Sequence, residues 1–215
     1  MFIIPLNGSK VNVPCFRAVR KIIKFVNTLD RCPKSMVLFT YCFNRRTKFC
    51  KIIHLSGGIE LDIFRVSFIG HRVVDEYRQV EEELDEVIEL LHRKYGFIDF
   101  NVGRNGEFDD LATQAVRRFR REWEEWCELT LVEPYPVANL DIIGKSYDNV
   151  IIPTDRKCHY KAAIGERNKW LAENCDMMIV YIKRDYGGAY KCCKYAQELG
   201  VPIMNIADNI KYKDS

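Results

Sequence analysis

Three short segments set glycines beside polar and charged side chains: Gly70-His71-Arg72, Gly103-Arg104-Asn105-Gly106-Glu107-Phe108-Asp109, and Tyr186-Gly187-Gly188-Ala189-Tyr190-Lys191. Glycine lets a backbone approach a ligand closely, and the N–H groups at a helix start attract anions. Such loops suit phosphate recognition, although any strand-to-helix turn can use glycine. Arg167 and Asn168 form a fourth feature. By spacing they share a helix face with the apolar Ile164 and Leu171. A polar pair on an apolar stripe needs either neighbouring loops to hydrogen-bond or a ligand to reach.

The elements that would position these residues follow from periodicity. Residues 63–69 form an apolar, β-branched and aromatic run suited to a central strand. Asp75 is expected to cap the next helix, whose Val80, Leu84, Val87, Ile88 and Leu91 recur at helical spacing and which Gly96 ends. Strands at 97–102, 129–132, 177–182 and 202–206 alternate with helices at 108–126, 161–174 and 189–199. Arg117, Arg118, Arg120 and Arg121 read as a solvated face paired with Glu122, Glu124 and Glu125. Residues 134–160 form a long connection, with a short strand at 150–152, of the kind that serves as a lid or binding loop. Alternating strands and helices imply an α/β fold, a Rossmann-like three-layer α/β/α sandwich on a mostly parallel sheet. All three glycine segments then fall at the carboxyl edge of the strands, where such folds bind ligands.

Charge divides the chain. Residues 1–61 carry eleven Lys or Arg against two acids, whereas residues 62–215 carry 22 against 28, a balance of −6. Affinity for nucleic acid is driven by Lys and Arg neutralising phosphates, so the acidic second part argues against nucleic acid as a partner. Residues 1–61 show one short basic amphipathic helix, near 16–25, and no stable period beyond it. They are either a leader outside the native product, with Leu61 read from a UUG start codon, or a basic arm that binds nucleic acid or a partner. No run approaches the roughly 18 apolar residues of a membrane helix, and the first residues lack the pattern of a signal peptide, so a cytoplasmic protein is expected. The nine cysteines are irregularly spaced without a CxxC pair, which suits buried reduced thiols better than zinc ligands, and no metal is expected.

Together the FIGHR start, the GRNGEFDDLA segment, the ERNKW helix and the GGA loop resemble the SLOG superfamily over residues 62–206. That superfamily includes Lonely Guy phosphoribohydrolases and the DNA-processing protein A domain, and the similarity points to its uncharacterised Gram-positive branch. The resemblance implies a nucleotide-binding domain over residues 62–210 and a nucleotide-derived, ADP-ribose-like ligand, with no other cofactor. Carried over by position, it implies that Gly70, His71 and Arg72 line the base or ribose, and that Gly103, Arg104, Asn105, Gly106 and Asp109 build the second loop. It further implies that Arg167 and Asn168 reach the ligand and that Gly187 and Gly188 cradle phosphate. The phosphoribohydrolase signature has a glutamate after its glycines, whereas Ala189-Tyr190-Lys191-Cys192-Cys193 stand here. Binding or sensing of the nucleotide is therefore expected ahead of N-glycosidic hydrolysis, for which Glu107 or Asp109 would have to serve, and ahead of single-stranded DNA binding. A homo-oligomer is compatible with the chain without being specified by it.

Overall fold

The computed structural model describes residues 63–154 and 159–210 with their side chains, and the backbone of 3–5, 40–41, 51–55, 58–61 and 211–213. Strands β1 (Ile3–Pro5), β2 (Thr40–Tyr41), β3 (Lys51–Leu55) and β4 (Gly58–Leu61) form an antiparallel sheet in the order β1-β4-β3-β2. The amphipathic helix expected near 16–25 lies outside the described residues.

The main sheet holds six parallel strands: β5 (Phe64–Gly70), β6 (Ile98–Val102), β7 (Cys127–Val132), β8 (Asn149–Ile151), β9 (Met177–Tyr181) and β10 (Ile203–Asn205). Their order is β10-β9-β5-β6-β7-β8. The chain moves outward from β5 to β8, then returns to place β9 on the other side of β5. Strand order therefore reverses between β5 and β9, the position beyond whose carboxyl ends open α/β sheets bind ligands.

Helices cover both faces. On one side lie α1 (Tyr77–Tyr95), α2 (Glu107–Trp123) and α6 (Ile206–Lys213), whose Leu84, Ile88, Leu111, Val116 and Ile210 pack on Val66, Phe68, Ile98, Phe100 and Leu129. On the other side α4 (Tyr160–Glu173) and α5 (Gly188–Glu198) bring Leu171, Ala172, Cys192 and Ala196 against Ile69, Met178 and Val180. The fold is the Rossmann-like α/β sandwich that the periodicity implied. Gly96 closes α1 with a φ of 76° and donates its N–H to the His92 carbonyl.

Several local expectations change. Asp75 does not cap α1: the N-cap is Glu76, with no side-chain cap bond, and the Asp75 carboxylate instead lies 3.5 Å from Lys183 Nζ. Arg118 does not pair along its own helix but grips Asp85 and Glu81 of α1, and Arg120 reaches Asp148 before β8. These pairs join elements that the sequence separates by 28 or more positions. The 134–160 connection carries a short helix, α3 (Leu140–Ile143), and then β8, one residue earlier than expected. Among the described residues Cys127, Cys175, Cys192 and Cys193 are free thiols. Burial pushes Cys127 and Cys192 up to about 12 and Cys175 to about 11, so they are inert packing groups.

The sheet face toward α4 is unusually polar. Ser67, Asn101 and Thr130 are register neighbours on β5, β6 and β7, and each is at most 1% exposed. Next to them Asp99 accepts the Thr130 hydroxyl at 2.8 Å, and burial raises its carboxyl to about 6. A carboxyl raised on folding binds a proton more readily in the native state, so its ionisation subtracts stability as pH rises from about 4 through 6. Asp99→Asn, which keeps an acceptor for Thr130, should therefore stabilise the protein on the order of 2 kcal/mol near neutral pH and add nothing below about pH 4. Thermal melts at the two pH values check both the sign and the window.

Candidate functional site

The carboxyl edge is built from three loops that brace one another. After β5, the His71 N–H donates to the Tyr181 carbonyl at 3.1 Å, tying the loop to β9. The His71 imidazole reaches further: Nε2 accepts the N–H groups of Lys183 at 3.0 Å and Arg184 at 3.2 Å. An acceptor Nε2 places the proton on Nδ1 and leaves the ring neutral. Burial and then Arg184 hold its pKa below the usual value, with Asp75 opposing. Arg72, which follows, is exposed, and its carbonyl accepts the Glu107 N–H at 2.9 Å.

The loop after β6 is fixed by two carboxylates. Glu107 Oε2 accepts the Val74 N–H at 2.7 Å, and Asp109 Oδ2 accepts the Asn105 N–H at 3.0 Å. Asp109 is 6% exposed, and burial pushes its carboxyl up while Arg167 pulls it down. Arg104 pairs with Glu133 at 2.9 Å, a carboxylate side chain only 1% exposed at the end of β7. Glu107 and Asp109, the acids that hydrolysis would have to recruit, are thus both engaged in holding loops.

Three of the glycines expected to admit a ligand are filled by the protein itself. A Cβ on Gly70 would lie 2.5 Å from the Phe108 ring, one on Gly106 2.9 Å from Arg72 Cα, and one on Gly103 2.4 Å from Asp109 Oδ2 and 2.6 Å from Arg167 Nη1. Close packing of backbone on side chain demands these glycines. Gly187 and Gly188 differ. Gly187 has a φ of 98° with nothing within 4 Å of its Cβ position, and Gly188 begins α5 with only Asn168 Nδ2 nearby, at 3.6 Å. This loop has room above it.

α4 spans the two kinds of loop. Arg167 points beneath Gly103, and Asn168 sends Nδ2 to the Gly188 carbonyl at 3.5 Å. Arg167 is 5% exposed, yet its Nε and Nη1 have no hydrogen-bond partner, nor does the buried Asn168 Oδ1. A buried donor left unpaired costs about 1–3 kcal/mol, and more for a charged group. Sequence reasoning found this pair and placed Tyr186 in a glycine segment; it missed the other exposed tyrosines. The exposed tyrosines among the described residues are Tyr77, Tyr135, Tyr160 and Tyr186. All four follow the carboxyl end of a strand: Tyr135 and Tyr186 lie in the connections after β7 and β9, and Tyr77 and Tyr160 open α1 and α4, the helices after β5 and β8.

The acidic balance does not describe this edge. Glu81, Glu82, Glu86 and Glu89 lie along α1, while Glu83, Glu86, Glu89 and Leu90 line a groove of about 350 Å³ that is ill suited to phosphate. At the edge Glu107, Asp109 and Glu133 are engaged, and the exposed Arg72 and Arg184 stand among the exposed acids Asp75, Asp110 and Asp185, so charge there is mixed rather than uniformly acidic. No group of three metal-ligating side chains occurs among the described residues, and no helix there is long and apolar enough to cross a membrane.

No family model and no curated protein matches the chain. Among solved structures it is similar to DNA processing protein A from Streptococcus pneumoniae, with a TM-score of 0.49 and 21% identity over 66% of this chain. The match spans 49% of that protein, about half its length. It is also similar to DNA processing protein A from Helicobacter pylori, with a TM-score of 0.48 and 16% identity, over 70% of this chain and 73% of that one. The Helicobacter structure is described as revealing a single-stranded DNA binding mode. Against that description the expectation that nucleic acid is an unlikely partner is withdrawn: it rested on a charge balance taken over the whole domain, which does not describe any one surface of it. The likeness to both proteins is one of fold, a Rossmann-like α/β architecture.

Proposed function

We propose that the carboxyl edge of the main sheet binds a nucleotide phosphate, and that single-stranded DNA is the polymer presenting it. Membership of the SLOG superfamily is part of this reading. The observation that carries it is Arg167, a guanidinium 5% exposed with two unpartnered nitrogens, placed under Gly103 and next to the residue that touches Gly188. An anion at this position supplies the missing acceptor. The exposed tyrosines and the cations Arg72 and Arg184 supply what single-stranded binding requires, ring faces for stacked bases and positive charge along the backbone. Stacking on such rings contributes about 1–3 kcal/mol per base.

A second reading, in which a free nucleotide derivative such as ADP-ribose is bound or sensed, is favoured by the reversal of strand order between β5 and β9, the usual position for a small ligand in open α/β sheets. Fluorescence anisotropy with labelled oligo(dT) of about 20 nucleotides separates the two. Single-stranded binding should weaken about 20-fold between roughly 50 and 200 mM salt if three phosphates are neutralised. Binding of ADP-ribose without oligo(dT) would favour the second reading, and binding of neither would defeat both.

A further inference from the structure

We propose that the consecutive N–H groups of Lys183 and Arg184 form an anion site that the His71 imidazole fills in the ligand-free protein, and that a phosphodiester oxygen takes its place once the ring is protonated. The proposal deepens the reading of the edge as a phosphate site and rests on it.

Two successive backbone N–H groups converging on one acceptor make a small anion-binding concavity. Here the acceptor is His71 Nε2, at 3.0 and 3.2 Å, a neutral nitrogen standing where an anionic oxygen would bind more strongly. The site lies in the gap between β5 and β9 where strand order reverses. It stands apart from Gly187 and Gly188, so it adds a second point of attachment along a bound backbone. Residues 183 to 188 are exposed, so the loop is reachable from solvent.

The surroundings explain why the tether responds to protons. From the loop, Arg184 and Lys183 face His71; from its own connection come Asp75 and Glu76; from β9 comes Tyr181, whose ring stands edge-on with centroids 6.4 Å apart. Lys183 Nζ is held by Asp75 and Glu76, and Glu76 also accepts the Tyr181 hydroxyl at 2.7 Å, which leaves Arg184 as the open cation of the group. Protonation of Nε2 turns an acceptor into a donor facing two donors, so the ring must leave. The vacated N–H pair, the Arg184 guanidinium and the imidazolium then surround one position with positive potential. By reciprocity, anion binding must raise the His71 pKa.

The test uses the whole chain and two probes that do not titrate in the range, sulfate and oligo(dT). In the free protein the Lys183 and Arg184 amide resonances should move with the midpoint of the His71 ring, below about 6.5. Sulfate should perturb those two amides near pH 5.5 and not near pH 7.5. Oligo(dT) affinity should rise at least about tenfold over the same interval, the equivalent of one unit of pKa change. His71→Gln, whose amide oxygen accepts the same N–H pair at either pH, should remove the dependence. Amides that ignore the His71 titration, sulfate that leaves them unmoved, or a glutamine variant with the wild-type pH profile would each overturn the proposal. If sulfate binds as expected while oligo(dT) binds at neither pH, the anion site stands and the reading of the edge as a DNA site fails.

Discussion

Arg167→Met should leave the ligand-free protein as stable as the wild type, or more so, while weakening oligo(dT) binding about 10- to 150-fold, the worth of a charge-assisted hydrogen bond of roughly 1.5–3 kcal/mol. The sign of the stability change separates a binding role from a structural one. A buried guanidinium in a completed ion pair typically costs about 3–5 kcal/mol when removed, because its partner is left charged and unpaired. Arg167 has no such pair: Nε and Nη1 lack partners, and no ion pair between it and another described residue is formed. Asp109 is its electrostatic neighbour, but burial already pushes that carboxyl toward the neutral form, which limits what the loss of Arg167 adds. Methionine keeps the apolar stem on the face shared with Leu171. Thermal melts in phosphate-free buffer, beside anisotropy titrations, read both quantities on one preparation. A fall in Tm of ten degrees or so, about 3 kcal/mol in a domain this size, would make Arg167 a structural residue.

Gly70→Ala should destabilise the protein by about 3 kcal/mol, a loss of roughly 6–12 °C in Tm. The added methyl would sit 2.5 Å from both Cγ and Cδ1 of Phe108 and 2.8 Å from its Cβ. Phe108 cannot give way, since it is fully buried at the start of α2 and stacks on Tyr181 with centroids 5.9 Å apart. Either the ring moves into the β9 side of the core or β5 separates from α2. The double variant with Phe108→Leu should recover part of the loss, and a double-mutant cycle in denaturant melts measures that coupling. Additive losses would show that Gly70 is not required by Phe108.

The elements were largely legible because burial imposes a period. β5 lies in a central position and reads as a mainly apolar run broken by Arg65 and Ser67, α1 repeats its apolar residues every three or four positions, and Gly96 marks its end. α6 escaped because Ile206, Ala207 and Ile210, the buried residues among those of its side chains that are described, are too few and too mixed with polar residues to show a period. The pairings of Arg118 and Arg120 could not be read, because an arginine among glutamates on its own helix gives no sign of Asp85 or Asp148.

At the site, spacing found Arg167 and Asn168, since a polar pair interrupting the stripe of Ile164 and Leu171 is visible in one dimension. The glycines were visible too, but not what occupies the space beside them. Phe108, Arg72 and Arg167 fill positions 70, 106 and 103 from elsewhere in the chain, and only the fold reveals it. The His71 tether has no sequence signature, because its donors are backbone groups 112 and 113 positions away. The tyrosines at 77, 135, 160 and 186 are scattered in the sequence and gather only because each follows a strand that points the same way.

Photocrosslinking oligo(dT) carrying 5-iodouracil to the whole chain, with the adducts mapped by mass spectrometry, locates the binding surface directly. Adducts should concentrate on Tyr186, Tyr160, Tyr135 and Tyr77, the exposed rings at the carboxyl edge, and should be lost in Arg167→Met. Adducts confined to other parts of the chain, or an unchanged pattern in the Arg167 variant, would contradict a nucleotide-phosphate site at this edge.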